Sequence, residues 1–363
     1  KGNKMKKYLI LGVGMQGQAI THALKTLSTP EEVLTADIRA GIADIVLDVK
    51  DKNALKSALK QVKGGVVVSA ISYTLNEYLS QECIKAGVSF VDLGGNTEVV
   101  LKQHQLHQKA IKAGVVISPD NGLQPGMGNI LAGNIIRKAK KKLESIKIYC
   151  GGLPQKPIGP LGYKLVFNPE GLINEYYGPT TFILEGQLKE VEAFTACIPF
   201  KPQQSTEYHY ESFFTSGGVS TSPQSFLGKL NQYSYRTVRY EGHFQKMELL
   251  KDFGWFEGPM RKEVESAIAR TCHFPDILDK VILEVHADLG DGKGLKPKYT
   301  LYHNQGKFTA MAETTGYSAA VVAFMIGEKM IAPGVQAVEL TVDEGPYLKY
   351  LKQLGVQINT PKS

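Results

Sequence analysis

The sequence predicts an α/β protein: a doubly wound parallel sheet followed by a second domain of α+β character. Three observations carry that reading. Short apolar runs alternate with helical stretches over the first third of the chain, and a glycine-spaced turn joins the first strand to the first helix. Beyond Cys150 the texture shifts to aromatics, prolines and alternating segments.

With 363 residues, 43% hydrophobic and 21% charged, the chain accommodates two ordinary domains and a substantial core. The net charge is +7, yet the basic residues are scattered. Their one dense run, "RKAKKK" at 137–142, falls where a helix should end and no nucleic-acid motif accompanies it. Cys83, Cys150, Cys197 and Cys272 form no C-x-x-C pair, so reduced thiols in a cytoplasmic protein are expected. His104 and His107 lie three apart with no acidic or cysteine third ligand nearby, and no metal is expected. The apolar runs, such as "YSAAVVAFMIG" at 317–327, fall below the ~20 residues of a membrane span. Lys1 to Lys4 read as an added leader before a native Met5, with no signal peptide ahead of the first strand.

In order, residues 8–12, "YLILG", read as a strand buried on both faces. They run into "GVGMQG", where Gly12, Gly14 and Gly17 stand in G-x-G-x-x-G spacing around Met15 and Gln16, followed by a helix over "QAITHALKTL". This is the fingerprint of a Rossmann-type dinucleotide domain: a tight turn at Gly12, pyrophosphate approach at Gly14, close helix packing at Gly17. The second strand, "EVLTADI", ends in Asp37, an acid placed to accept from the adenosine ribose and to repel a 2′-phosphate. NAD is therefore expected over NADP, although Arg39 is placed to pair with such a phosphate. "ADIVLDV" brings Asp48 to the adenine side, and "GVVVSAI" brings Ala70, Ile71 and Ser72 to the carboxyl edge, where ligands bind in open sheets. "SFVDLGG" does the same for Gly94 and Asn96. Ser72 and Asn96 read equally as turn residues. A helix from Val99 to Ala113 and the strand "VVISPD" follow. The next stretch, "SPDNGLQPGMGN" at 118–129, crowds three glycines and two prolines around one carboxylate, Asp120.

The domains are expected at 5–127 (dinucleotide-binding), 128–313 (substrate and dimerisation) and 314–361 (a segment returning to the first domain). In the second, "SIKIYCGG", "TFILEGQLKEVEAF", "KVILEVHADL" and "KYTLYHN" predict an antiparallel sheet. "TGYSAAVVAFMIGEKMI" predicts the returning helix.

"VDLGGN", "SPDNGLQPGMGNI", "YCGGLPQKPIGPLGYKLVFNPEGLINEY", "TSGGVST", "RYEGH" and "TTGYSAA" together resemble the saccharopine dehydrogenase-like family, and within it the branch that deaminates lysine. The resemblance implies NAD-dependent oxidation of the ε-amine of lysine to the 6-semialdehyde, which cyclises. The sister branch, which joins the semialdehyde to glutamate with NADP, shares "CGGLP" and "PLGYK". It usually carries a carboxylate where this chain has Gln124 and an aromatic where it has His243. Lys164 in "GYK" suits that branch. A nucleotide-binding regulator without catalysis is the third reading.

For lysine, Asp120 is expected to face the cleft and bind the substrate ammonium, or else to cap the helix near Met127. Hydride leaves the ε-carbon only once the amine has a free lone pair, so a base must take its proton. His243 is the expected base; as a plain structural residue it would hydrogen-bond a turn. Arg239 suits a bidentate hold on the α-carboxylate. Ser216 and Thr221 would donate further hydrogen bonds. The expected partner is a small amino acid, with no nucleic acid or membrane, in a homodimer.

Overall fold

The computed structural model describes residues 7–204 and 206–361; the expected leader, Lys1 to Lys4, lies outside them. The chain divides into two compact units, 1–134 with 312–356, and 135–311 with 357–363. The first division, at 134/135, falls inside a helix that begins at Met127, seven residues beyond the expected boundary at 127/128, and residues 357–361 group with the second unit rather than the first.

In the first unit, strands β1 (Tyr8–Leu11), β2 (Val33–Asp37), β3 (Ile45–Val46), β4 (Val66–Ser69), β5 (Ser89–Asp92) and β6 (Val116–Ser118) are joined by a later strand, β15 (Gly334–Val335). The order is β15-β6-β5-β4-β1-β2-β3, and every pairing is parallel. β1 and β4 are buried at every position, because helices cover both faces of such a sheet and leave no wet side. The helices are α1 (Met15–Leu27), α2 (Lys52–Lys60), α3 (Asn76–Ala86), α4 (Thr97–His104), α5 (His107–Ala113) and α6 (Met127–Lys138). The helix expected over Val99 to Ala113 is two helices. The chain tightens where the Leu106 amide donates to Gln103, and His107 accepts from the Val335 amide at 3.1 Å, which fixes the restart against β15. Arg137 and Lys138 are exposed in the last turn of α6, so this basic stretch complements the helix dipole.

The second unit is built on an eight-stranded sheet: β7 (Leu143–Pro154), β8 (Pro179–Leu184), β9 (Gln187–Glu192), β10 (Thr195–Phe200), β11 (Tyr210–Phe214), β12 (Leu230–Tyr240), β13 (Asp279–Asp288) and β14 (Lys296–Asn304). Its main path runs β10-β11-β12-β7-β13-β14, with the β8/β9 hairpin beside β12. The sheet is mixed rather than antiparallel throughout, because β12 pairs with β7 in parallel. The chain between them forms α7 (Pro169–Glu175), β8 to β11 and α8 (Ser222–Phe226), long enough to bring β12 back in the same direction. Helices α9 (His243–Asp252) and α10 (Gly258–Thr271) follow β12.

Alternation along β12 sends Val238 and Tyr240 to one face of the sheet, in a cluster with Tyr149, Tyr210 and Ile282. Arg239 points to the other face, where Tyr163, Tyr176, Phe194, Phe213 and Phe244 pack. Asp279, at the start of β13, accepts from the amides of Ala310 (2.7 Å) and Met311 (3.0 Å) and so caps helix α11 (Ala310–Gly327). The chain then completes the first unit with β15, α12 (Val338–Thr341) and α13 (Glu344–Gln353). Among the described residues no helix is long and apolar enough to cross a membrane.

Candidate active site

In the first unit the glycine fingerprint adopts the geometry its spacing predicts. Gly12 has φ +89°, and a Cβ on Gly17 would lie 1.8 Å from the Gly12 carbonyl oxygen, so both positions exclude any side chain. A Cβ on Gly14 would meet nothing within 4 Å. That open position stands at the N-terminus of α1, flanked by exposed Met15 and half-buried Gln16, where free N–H groups and the dipole favour a phosphate. The chain thus fits a dinucleotide. Gly17→Ala is expected to abolish dinucleotide binding, measured by fluorescence titration with NADH, while a circular-dichroism spectrum close to wild type shows the fold retained.

Asp37 ends β2 and is buried. Its Oδ2 accepts from the Val13 amide at 2.8 Å, tying the acid to the glycine turn. Arg39 grips the same carboxylate with its fork, Nε to Oδ1 at 2.9 Å and Nη2 to Oδ2 at 3.0 Å. The Arg39 hydrogen bonds, with those from the Val13 and Arg39 amides, hold the Asp37 carboxyl far below the usual range. Asp48 is exposed and accepts from the Lys50 amide in a turn. At the end of β4, Ala70 and Ile71 bound the Gly12 turn, and the Ser72 hydroxyl pairs with Thr74 at 2.9 Å.

The ends of β5 and β6 are locked together by Asp92, a residue the sequence reading did not single out. Its Oδ1 accepts from the amides of Gly94 (2.8 Å) and Asp120 (3.2 Å), its Oδ2 from Gln103 Nε2 (2.7 Å), and its carbonyl from the Asn121 amide (2.9 Å). The acid in "VDLGG", on a strand end before two glycines, was the available signal. Asp120 is thereby held at φ +62°, buried, with Gly94 cleared for it: a Cβ there would lie 2.2 Å from Asp120 Oδ1. Helix α6 starts at Met127, with the Ile130 amide bonded to the Gly126 carbonyl. Asn96, by contrast, is a cap: its Oδ1 accepts from the Val99 amide at 3.1 Å at the start of α4.

In the second unit Arg239 is the centre of a buried polar chain. Its Nε donates to Tyr176 Oη (3.1 Å), Nη1 to the Val238 carbonyl (3.0 Å) and Nη2 to Glu175 Oε2 (3.1 Å), and the guanidinium lies 5.0 Å from the Tyr163 ring centroid. Three of its five N–H groups are used; Nη1 and Nη2 each keep one. Tyr176 Oη and His243 Nε2 are 2.9 Å apart, and His243 Nδ1 and the Leu161 carbonyl 3.0 Å. The neutral imidazole fits these contacts, with Tyr176 donating to Nε2 and Nδ1–H donating to Leu161. Burial, reinforced by Arg239, pushes its pKa down to about 3. Both ring nitrogens, the feature a base would use, are engaged within the protein, Nε2 with Tyr176 and Nδ1 with the Leu161 carbonyl.

The remaining expected residues divide. Ser216 stands beside the cluster, its hydroxyl donating to the Asn174 carbonyl at 2.6 Å and its amide to the Glu175 carbonyl at 3.0 Å. Thr221 is buried at the start of α8, its carbonyl accepting from the Ser225 amide. Lys164 donates to the Ile277 carbonyl at 2.5 Å, close to Asp279. Glu175 and Tyr176 were missed because they lie 64 and 63 residues from the arginine they serve.

Comparison with known proteins adds the lineage. Residues 8–117 match the domain family described as Saccharopine dehydrogenase NADP binding domain, and residues 122–357 match Saccharopine dehydrogenase C-terminal domain. The chain is 28% identical over 229 residues to alpha-aminoadipic semialdehyde synthase of Arabidopsis thaliana, covering 60% of this chain and 21% of that protein. It is 27% identical over 247 residues to the NADP(+), L-glutamate-forming saccharopine dehydrogenase of Schizosaccharomyces pombe, covering 66% and 53%. The chain therefore spans about half, or less, of the length of these relatives. Among solved structures, apo saccharopine dehydrogenase (L-Glu forming) from Saccharomyces cerevisiae superposes with TM-score 0.76 at 19% identity, over 98% of this chain and 100% of that one, which shows a shared fold. With both of its domains matched, the chain belongs to the saccharopine dehydrogenase family.

Proposed function

We propose that this protein is an L-lysine 6-dehydrogenase. It deaminates the ε-amine of L-lysine oxidatively to 2-aminoadipate 6-semialdehyde and ammonia, the semialdehyde cyclising to piperideine-6-carboxylate. The observation that carries this reading is Arg239, a buried guanidinium with an N–H to spare on each terminal nitrogen, the donor pair that a substrate α-carboxylate accepts in bidentate fashion. Tyr163, Tyr176 and, through Tyr176, His243 fix its plane. Asp120, on a backbone pinned by Asp92, is proposed as the acid of the first unit with a catalytic role. The bound dinucleotide supplies the hydride acceptor. NAD is the proposed form, because the Asp37 carboxylate stays ionised, repels a 2′-phosphate, and already neutralises Arg39.

The second reading, a glutamate-forming saccharopine reductase using NADP, draws on the activity named for the fungal relative and on the NADP in the name of the matched domain family. One assay separates the two: NADH release from L-lysine alone, with ammonia determined, is expected, together with a lower KM for NAD than for NADP. No turnover of lysine, with NADPH oxidised by semialdehyde plus glutamate, would give the second reading its case.

A further inference from the structure

We infer that Arg239 and Glu175 together form a receptor for the zwitterionic head of a free α-amino acid, with Glu175 taking the α-ammonium while Arg239 takes the α-carboxylate. This rests on the role proposed above for Arg239 and adds a specificity determinant. Glu175 is the last residue of α7, where the helix dipole opposes a negative charge. Burial also disfavours its ionised form, and Arg239 opposes that effect through charge and a hydrogen bond.

Its surroundings show how it is presented. The backbone at the end of α7 is held by Ser216, whose amide and hydroxyl bond the carbonyls of Glu175 and Asn174, and by Arg261, which donates to Asn174 Oδ1. The carboxylate therefore has a fixed origin. Oε2 faces Arg239 at 3.1 Å, while Oε1 makes no hydrogen bond among the described residues. The Glu175 side chain is 29% exposed against 3% for Arg239, so the acid forms the open end of the pair and the guanidinium the closed end. An α-amino acid carries its two charges on adjacent atoms of one carbon. Laid antiparallel to the Arg239–Glu175 pair, it places each charge beside its opposite, and neither partner is left desolvated and unpaired. A substrate that lacks the α-ammonium places its carboxylate next to Glu175 with nothing to offset the repulsion.

The test is calorimetric binding of L-lysine and of 6-aminohexanoate, which lacks only the α-amino group, to the full chain saturated with NADH. Wild type is expected to prefer lysine by tenfold or more. Glu175→Gln should lose lysine affinity, hold 6-aminohexanoate, and bring the two within about threefold, while Glu175→Asp retains a preference. An unchanged thermal transition shows that the variants are folded. Equal affinities in wild type, a full preference retained in Glu175→Gln, or no binding of either compound would overturn the inference. Turnover is read separately: tight, selective lysine binding without NADH release from lysine and NAD would sink the dehydrogenase reading and leave this one standing.

Discussion

Arg239→Ala is expected to lower kcat/KM for lysine by roughly two orders of magnitude or more. Removing one member of a desolvated charge pair typically costs ~2–5 kcal/mol, and each ~1.4 kcal/mol is tenfold in rate. The loss has two sources. The substrate carboxylate loses its fork, and Glu175 loses the cation that sustains its charge beside Tyr176. Arg239→Lys separates them: a lysine restores a positive charge near Glu175 without the planar double donor, so stability should recover further than kcat/KM does. NADH binding, measured by fluorescence, should persist in both variants, because the glycine fingerprint belongs to the other unit. An Arg239→Ala enzyme with wild-type kcat/KM would remove the arginine from the site.

The second large effect is in acid. His243 is neutral and buried in the folded chain with its pKa near 3, whereas in the unfolded chain it titrates near ~6.5. Between those values the unfolded state binds the extra proton, so stability is complete above about pH 6.5 and falls as pH drops toward 3. The span corresponds to a loss on the order of 4 kcal/mol. His104, whose pKa burial also lowers, adds in the same direction, so the variant difference is the informative quantity. His243→Phe should be less stable at pH 7, since Tyr176 loses its acceptor, and its urea midpoint should vary much less between pH 7 and pH 4.5. An equal slope in wild type and variant would show that His243 is accessible to protons when folded.

Local rules reached far in the first unit. The roles of Gly12, Gly14 and Gly17 follow from steric demands within six residues, and the buried strands announce themselves as apolar runs because a two-faced sheet leaves no wet side. Asp37 was equally legible, but its grip on Arg39 was not: the same two side chains read as rival cofactor determinants until their 2.9 Å contact shows one occupying the other. In the second unit the period-two pattern located strands without their directions, so the parallel β12/β7 pairing was invisible. His243 illustrates the hardest case. Its residue type suggests a base, and only burial against Tyr163, Tyr176 and Arg239 makes it a neutral acceptor.

Strand β12 is clamped along both edges, by β7 over Leu230 to Thr237 and by β11 over Thr237 to Tyr240. Arg239 reaches its partners because the count of residues from those anchors is odd or even in the right sense. One deletion within the strand would exchange the faces, turning the guanidinium toward the Val238 and Tyr240 cluster and a tyrosine toward Glu175. Substitutions along β12 are thus a matter of degree, whereas changes in its length are all or nothing. A library built to retarget the amino-acid head should therefore vary the letters of this strand and leave its number of positions alone.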